Sequence, residues 1–147
     1  MIDEIIAKDS IEVEIKKEHQ DVYEHLNNSY YAFYFEKARK AILEKIGFDD
    51  KKFKERGIGF FVTSSFYQYK RQLKNDYVKI DSEVRRNKAK IIVYSTMYSR
   101  EEEKATAKIE HFFVNLKTGK PIKIPEEILR NLETLKLNNN KTITEKN

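Results

Sequence analysis

Asn27-Asn28-Ser29-Tyr30-Tyr31-Ala32-Phe33-Tyr34-Phe35-Glu36-Lys37-Ala38-Arg39-Lys40-Ala41-Ile42-Leu43-Glu44-Lys45-Ile46-Gly47 is the stretch that decides the fold. Tyr30, Tyr34, Ala38, Ala41, Ile42 and Ile46 recur at helical spacing and form one apolar stripe. Asn27, Asn28 and Ser29 are residue types whose side chains accept from the orphan N–H groups of a first helical turn. Gly47 stands where a left-handed C-terminal cap is expected. The spacing predicts a helix over 30–46, about 25 Å long at its regular rise. Tyr31, Phe33 and Phe35 fall off the stripe, so this helix is apolar over much of its girth and is expected to be enclosed on more than one side.

On either side of the helix the period changes to two. Ile11, Val13 and Ile15 alternate with Glu12, Glu14 and Lys16, the pattern of a half-buried strand. Downstream, residues 58–69 are rich in aromatics and hydroxyls. Val78, Ile80 and Val84 alternate with charged residues, 91–98 is a nearly continuous β-favouring run, and 105–116 reads as another long strand. The connections RNK (86–88), REEEK (100–104) and KTGKP (117–121) suit antiparallel hairpins. A short helix is expected over 126–137, after Pro125. The polar stretch 138–147 is expected to be a disordered tail. The order is strand, long helix, then four antiparallel strands. It predicts a single α+β domain over 1–137, with a mostly buried helix against a curved sheet.

Composition narrows the chemistry. The chain has 147 residues, no cysteine, and a net charge of +5 with 36% charged residues. Absence of cysteine excludes disulfide scaffolds, thiolate metal sites and cysteine nucleophiles. No apolar run approaches a membrane span. The N-terminal MIDEIIAKDSIEVEI lacks the basic-then-apolar order of an export signal, so a cytoplasmic location with no membrane partner is the expectation. The positive charge suits an anionic partner: nucleic acid, a membrane surface or a phosphorylated cofactor.

The densest functional-looking segment is Glu18-His19-Gln20-Asp21-Val22-Tyr23-Glu24-His25-Leu26-Asn27-Asn28, directly before the helix. Three readings compete. It is a solvated loop whose asparagines cap the helix; or His19, Asp21 and His25 hold a metal, although their spacing matches no standard ligand pattern; or Asp21 is a catalytic carboxylate facing the positive end of the helix. In the last case the helix start offers N–H groups for an oxyanion, and the carboxylate acts as nucleophile or general base. The segment Arg85-Arg86-Asn87-Lys88-Ala89-Lys90 carries four positive charges. It is either an edge-protecting hairpin tip or a phosphate clamp. Phe60, Phe61, Phe66, Tyr67 and Tyr69 are either core and interface or a stacking platform for single-stranded nucleic acid. No phosphate loop, GxSxG, HExxH or GxGxxG is present.

Asp21-Val-Tyr-Glu-His25-Leu-Asn27-Asn28-Ser-Tyr30-Tyr31, running into Tyr34-Phe35-Glu36-Lys-Ala38-Arg39, resembles the signature of hotdog-fold acyl-CoA thioesterases, in particular the 4-hydroxybenzoyl-CoA thioesterase-like group, which reads D-x-x-G-H-V-N-N-x-x-Y and then F-E-x-A-R. Tyr69-Lys-Arg71-Gln72-Leu73-Lys-Asn75-Asp76 resembles the family's Y-x-x-P-L-x-x-G-D turn. Glu83-Val-Arg85-Arg86-Asn-Lys88 resembles the basic segment that meets CoA phosphates. The resemblance covers roughly residues 10–125. The chain departs from the pattern at Glu24 and Asn75, where glycine is usual, and at Gln72, where proline is usual. Glu24 would reshape the loop, add charge beside Asp21, or point to solvent.

The resemblance implies a hotdog fold, a curved five-stranded antiparallel sheet wrapped around the long central helix. It implies an acyl-CoA hydrolase releasing a free acid and CoA. Asp21 would be nucleophile or general base and the Asn28 N–H the oxyanion donor. His25 and Asn27 would shape the loop. Tyr31, with Phe33 and Phe35, would line the acyl tunnel or touch a second subunit. Arg85, Arg86 and Lys88 would bind the CoA phosphates, for a neighbouring subunit's site. No metal or separate cofactor is implied, since CoA belongs to the substrate. Homodimers, or dimers of dimers, with sites at the subunit interface are implied as well. A non-catalytic acyl-CoA or acyl-carrier binding module on the same fold is the alternative that Glu24 raises.

Overall fold

The structure, a computed structural model, describes residues 4–74 and 77–146, with side chains to Lys136. Asn75 and Asp76 of the Y-x-x-P-L-like turn lie outside the described residues.

The expected helix forms as α1 (Tyr31–Lys45), entered through a 3-10 turn over Asn28–Tyr30. Asn27 caps that turn, its Oδ1 accepting from the Ser29 N–H at 3.0 Å. The far end is closed by a left-handed Gly47 (φ +86°), with the Gly47 N–H on Glu44 O and the Phe48 N–H on Leu43 O, both at 3.0 Å. These two bonds satisfy carbonyls that a helix end otherwise leaves orphaned. A Cβ at 47 would also strike the Asn131 amide, which donates to Ile46 O at 3.0 Å.

Around α1 runs an all-antiparallel sheet of β1 (Glu4–Glu14), β2 (Ile58–Tyr69), β3 (Tyr77–Asn87), β4 (Lys90–Ser99), β5 (Glu102–Asn115) and β6 (Pro121–Ile122). The spatial order is β1-β3-β4-β5-β2, with the two-residue β6 pairing the end of β5. The expected five strands are therefore joined by a short sixth. β1 starts earlier than the alternation around Ile11 suggests. A register shift between Ile5 and Ala7 lets the consecutive Ile6 and Ala7 both turn inward, which hides the period.

The core has two halves strung along α1. Tyr31, Tyr34, Phe35 and Ala38 pack with Leu26, Leu73, Val78 and Ile80 at the helix start. Ile42, Leu43 and Ile46 pack with Ile6, Val84, Val93 and Phe113 at its end. The off-stripe Tyr31 and Phe35 are core, under Tyr69 and Tyr67, whereas Phe33 stays exposed. A short α2 (Asp50–Glu55), capped by Asp49, was not evident from the six residues that form it. α3, expected over 126–137, runs Glu126–Lys146; no glycine or proline interrupts it. Its Ile128 and Leu132 seal the second half of the core. No described helix is long and apolar enough to cross a membrane.

A polar contact between α1 and β5 crosses this core. His111, fully buried, donates from Nδ1 to Ile91 O at 3.0 Å, which leaves Nε2 to accept from Arg39 Nη1 at 3.0 Å. Its ring stacks on Phe60, with centroids 4.6 Å apart. Burial, with the Arg39 charge adding to it, pulls the imidazole down to about 4 from 6.5. A depressed pKa contributes stability in full above pH 6.5 and loses it as pH falls towards 4. The parent is expected to lose about 2–3 kcal/mol between pH 7 and pH 4.5 from this group alone. Guanidinium midpoints at the two pH values check it: His111→Asn should show a pH dependence smaller by that amount, and an identical dependence contradicts it.

Candidate active site

The polar segment before α1 is folded, and one phenol organises it. Tyr34, fully buried, accepts the Lys16 N–H at 2.8 Å and meets His19 Nδ1 at 2.7 Å. His19 is sandwiched between rings, stacked on Tyr30 at 4.1 Å and edge-on to Phe33 at 5.0 Å. Its carbonyl accepts the Asn27 N–H at 3.0 Å. Leu26 is buried and donates its N–H to Leu73 O at 2.6 Å. These contacts pin residues 19 and 26–27, and the chain between them makes a tight excursion.

Asp21 organises that excursion. Its Oδ1 accepts the N–H of Tyr23 at 2.8 Å and of His25 at 3.1 Å. Its own N–H donates to His25 O at 2.8 Å, and its carbonyl accepts the Glu24 N–H at 3.0 Å. An aspartate that bonds backbone two and four residues on is the usual way such a turn is held. Glu24 closes it at φ +65°, a conformation that favours glycine. Of the three effects expected of Glu24, the structure shows the last: the residue takes the left-handed conformation, the turn forms, and the side chain is exposed. Asp21 is itself exposed, and Oδ2 carries no hydrogen bond among the described residues. Asn28 begins the 3-10 turn, so its N–H has no acceptor within that turn.

Asp21, His25, Asn27 and Asn28 thus share one loop at the start of α1, with Tyr31 buried beneath it. The metal arrangement is not assembled. His19 is buried with Nδ1 on Tyr34 while Asp21 faces outward, and no group of three His, Asp or Glu among the described residues is placed to hold an ion.

The basic cluster lies elsewhere. Val78 packs in the half of the core at the helix start and Val84 in the half at its end, so Arg85, Arg86 and Lys88 stand at the opposite end of α1. Eight residues of strand separate Val78 from Arg86, about 25 Å. Arg85 pairs with Glu83 at 2.6 Å and lies 4.4 Å over Tyr94; Arg86 donates to Lys88 O at 2.9 Å. Within one chain these residues do not reach Asp21.

Two features escaped the sequence. A groove of about 700 Å³ runs between α1 and β2, with Arg39, Leu43, Phe48, Phe60 and Val62 in its walls. A smaller pocket of about 370 Å³ abuts the Asp21 loop at His25. Both gather residues from distant segments, so no local spacing announces them. The edge strand β2 is apolar yet uncovered: Phe61, Val62, Phe66 and Tyr69 are each at least 46% exposed.

Solved structures share this architecture. A DHNA-CoA thioesterase from Staphylococcus aureus superposes with a TM-score of 0.78 at 21% identity, over 92% of this chain and 95% of that one. A 1,4-dihydroxy-2-naphthoyl-CoA thioesterase from Synechocystis gives 0.78 at 11% identity, over 86% and 96%. A hypothetical protein from Staphylococcus aureus in complex with CoA gives 0.79 at 13% identity, over 94% and 87%. No curated protein matches the chain in sequence. The fold is the hotdog fold of these thioesterases. The family model described as the thioesterase-like superfamily matches residues 15–132, most of the chain and the whole of the Asp21 loop and α1, and the chain belongs to that superfamily.

Proposed function

We propose that the chain is an acyl-CoA thioesterase of the cytoplasm, with Asp21 as its catalytic carboxylate. The observation that carries this is the Asp21 turn itself. Two backbone N–H groups hold Oδ1, leaving Oδ2 unengaged at the mouth of a loop that ends in the Asn28 N–H. Membership of the thioesterase-like superfamily supplies the reaction class. In this reading the Asn28 N–H, aided by the partial positive charge of the helix start, receives the thioester carbonyl oxygen. Oδ2 either attacks the carbonyl carbon, forming an anhydride that water then opens, or takes a proton from the attacking water. In both routes the C–S bond breaks, the acid keeps the carbonyl carbon and the thiolate is protonated as it leaves. His25 and Asn27 keep the turn in shape, through the His25 N–H and the Asn27 cap. No metal is needed in either route.

Asp21→Asn keeps a hydrogen-bond acceptor for Tyr23 and His25 and is expected to fold. Release of free thiol from a panel of short, long and aromatic acyl-CoAs should drop roughly a hundredfold or more. Rates equal to the parent would remove Asp21 from the chemistry. Glu24→Gly relieves a left-handed non-glycine residue, and should raise stability by about 1 kcal/mol while keeping hydrolysis. Thermal melts check the first part and the same thiol assay the second.

The site is completed, in this reading, by a second copy of the chain. β2 ends the sheet, its outer edge unpaired among the described residues, and Phe61, Phe66 and Tyr69 along it are uncovered. An exposed apolar edge of this length is a template for strand pairing. Pairing two copies would bring in basic residues that one chain holds too far from Asp21, and a further association of two dimers is compatible with it. Light scattering of the parent should give about twice 17.6 kDa, or four times for the larger assembly. Val62→Lys with Phe66→Lys should give the single-chain mass together with lost hydrolysis. A parent that is already a single chain at micromolar concentration overturns this part.

A further inference from the structure

We infer that the pocket formed by His25, Lys74, Ser99, Arg100, Glu102 and Lys104 binds the phosphate of the thiol carrier, in the same chain as the Asp21 it serves. The inference rests on the reading of Asp21 above and adds the means by which this chain holds the substrate's anionic end.

The pocket, of about 370 Å³, lies directly beside the Asp21 turn. Asp21 and His25 are joined backbone to backbone at 2.8 Å, and His25 in turn pairs with Lys74 in an antiparallel bridge. From there the pocket extends to Arg100 at the tip of the β4–β5 hairpin. One end therefore adjoins the Asp21 turn, and cations line the pocket from Lys74 beside His25 to Arg100 at the hairpin tip. A phosphopantetheine thioester carries its sulfur at one end and its phosphate at the other.

The charge balance favours an anion. Lys74, Arg100 and Lys104 line the pocket against one carboxylate, Glu102. Glu102 accepts from Lys104 at 2.6 Å and from Arg71 at 3.3 Å, so a fourth cation is drawn to the rim. Of the neighbouring acids, Glu103 pairs with Lys70 at 2.7 Å, and Glu101 lines a second cavity with Glu12 and Asp81, a cavity that Arg100 borders as well. Guanidinium and ammonium groups are the side chains that hold phosphate oxygens. The basic cluster 85–88, by contrast, is about 25 Å away along β3 and does not reach this pocket.

The hairpin tip adds a second observation. Arg100 and Glu101 are its two turn residues, both left-handed, at φ +52° and +65°. A two-residue turn of this type favours Asn-Gly, so that pair fits the backbone the turn already has. This makes a clean test available. Arg100→Asn with Glu101→Gly should raise the melting temperature while removing the cation, so lost function cannot be ascribed to misfolding.

The experiment compares the parent, that double variant and Lys74→Gln on one acyl group carried by CoA, by phosphopantetheine and by pantetheine without phosphate. The parent should favour the phosphate-bearing carriers through KM. Each variant should raise KM for them roughly tenfold, with kcat and the pantetheine thioester unchanged. A rise for CoA and phosphopantetheine alike assigns the phosphate that CoA shares with carrier proteins. A rise for CoA alone assigns the nucleotide's phosphates. Variants whose KM values match the parent on all three carriers overturn the inference. Calorimetric titration with free CoA separates it from the hydrolytic reading: if no thioester is cleaved, CoA affinity lost in both variants still supports the pocket, and affinity kept in both overturns it.

Discussion

The hydroxyl of Tyr34 is the contact on which the rest depends. It sits on the buried face of α1, at the fourth residue of the helix, and holds both the backbone at Lys16 and the ring of His19. Without it the first part of the segment between β1 and α1 would lose its side-chain hold on the helix. With it, His19 is fixed among aromatic rings, Asn27 is fixed to His19, and the chain between is short enough for one aspartate to organise. Burial pushes the Tyr34 hydroxyl above its usual range, so it remains a neutral donor across the whole physiological span of pH. The helix is thereby both scaffold and clamp: its core side packs, and one group on that side orders the polar segment.

The two ends of α1 have different work. At its start the backbone offers N–H groups and the Asp21 turn; at its end Gly47 and Asn131 close off the carbonyls and α3 seals the apolar half of the core. Charges follow this division. The 85–88 hairpin is tied internally and stands at the closed end, while the hairpin at Arg100 stands at the open one.

Most of the fold was legible because its periods are clean. The stripe from Tyr30 to Ile46, its asparagine start and its glycine stop gave α1 to within a residue, and four of the strands followed from alternation and hairpin-length gaps. The start of β1 was hidden by a bulge that turns two successive residues inward, and α2 and β6 are too short to show a period. Tyr31 and Phe35 misled for a different reason: an aromatic off the main stripe is ambiguous until a strand is known to cross it, and β2 supplies Tyr69 and Tyr67. In the loop, residue types pointed to the Asn27 cap, whereas the part Asp21 plays in holding the turn was not among the readings. They did not reveal that His19 is a packing residue, because its partners Tyr30 and Tyr34 lie more than ten residues on, in the 3-10 turn and in α1. The pocket at His25 was out of reach altogether, since it draws on three separate turns and strands.

The Arg39–His111 contact has a consequence for how the halves of this molecule respond to their medium. Surface pairs such as Lys70–Glu103 and Lys79–Asp81 join two full charges in water, and dissolved ions weaken them. The bond between α1 and β5 joins a full charge to a dipole on a buried ring, so it has no second charge for those ions to screen. Brine that loosens the decorated exterior therefore leaves the join between rod and wrapper at its ordinary strength.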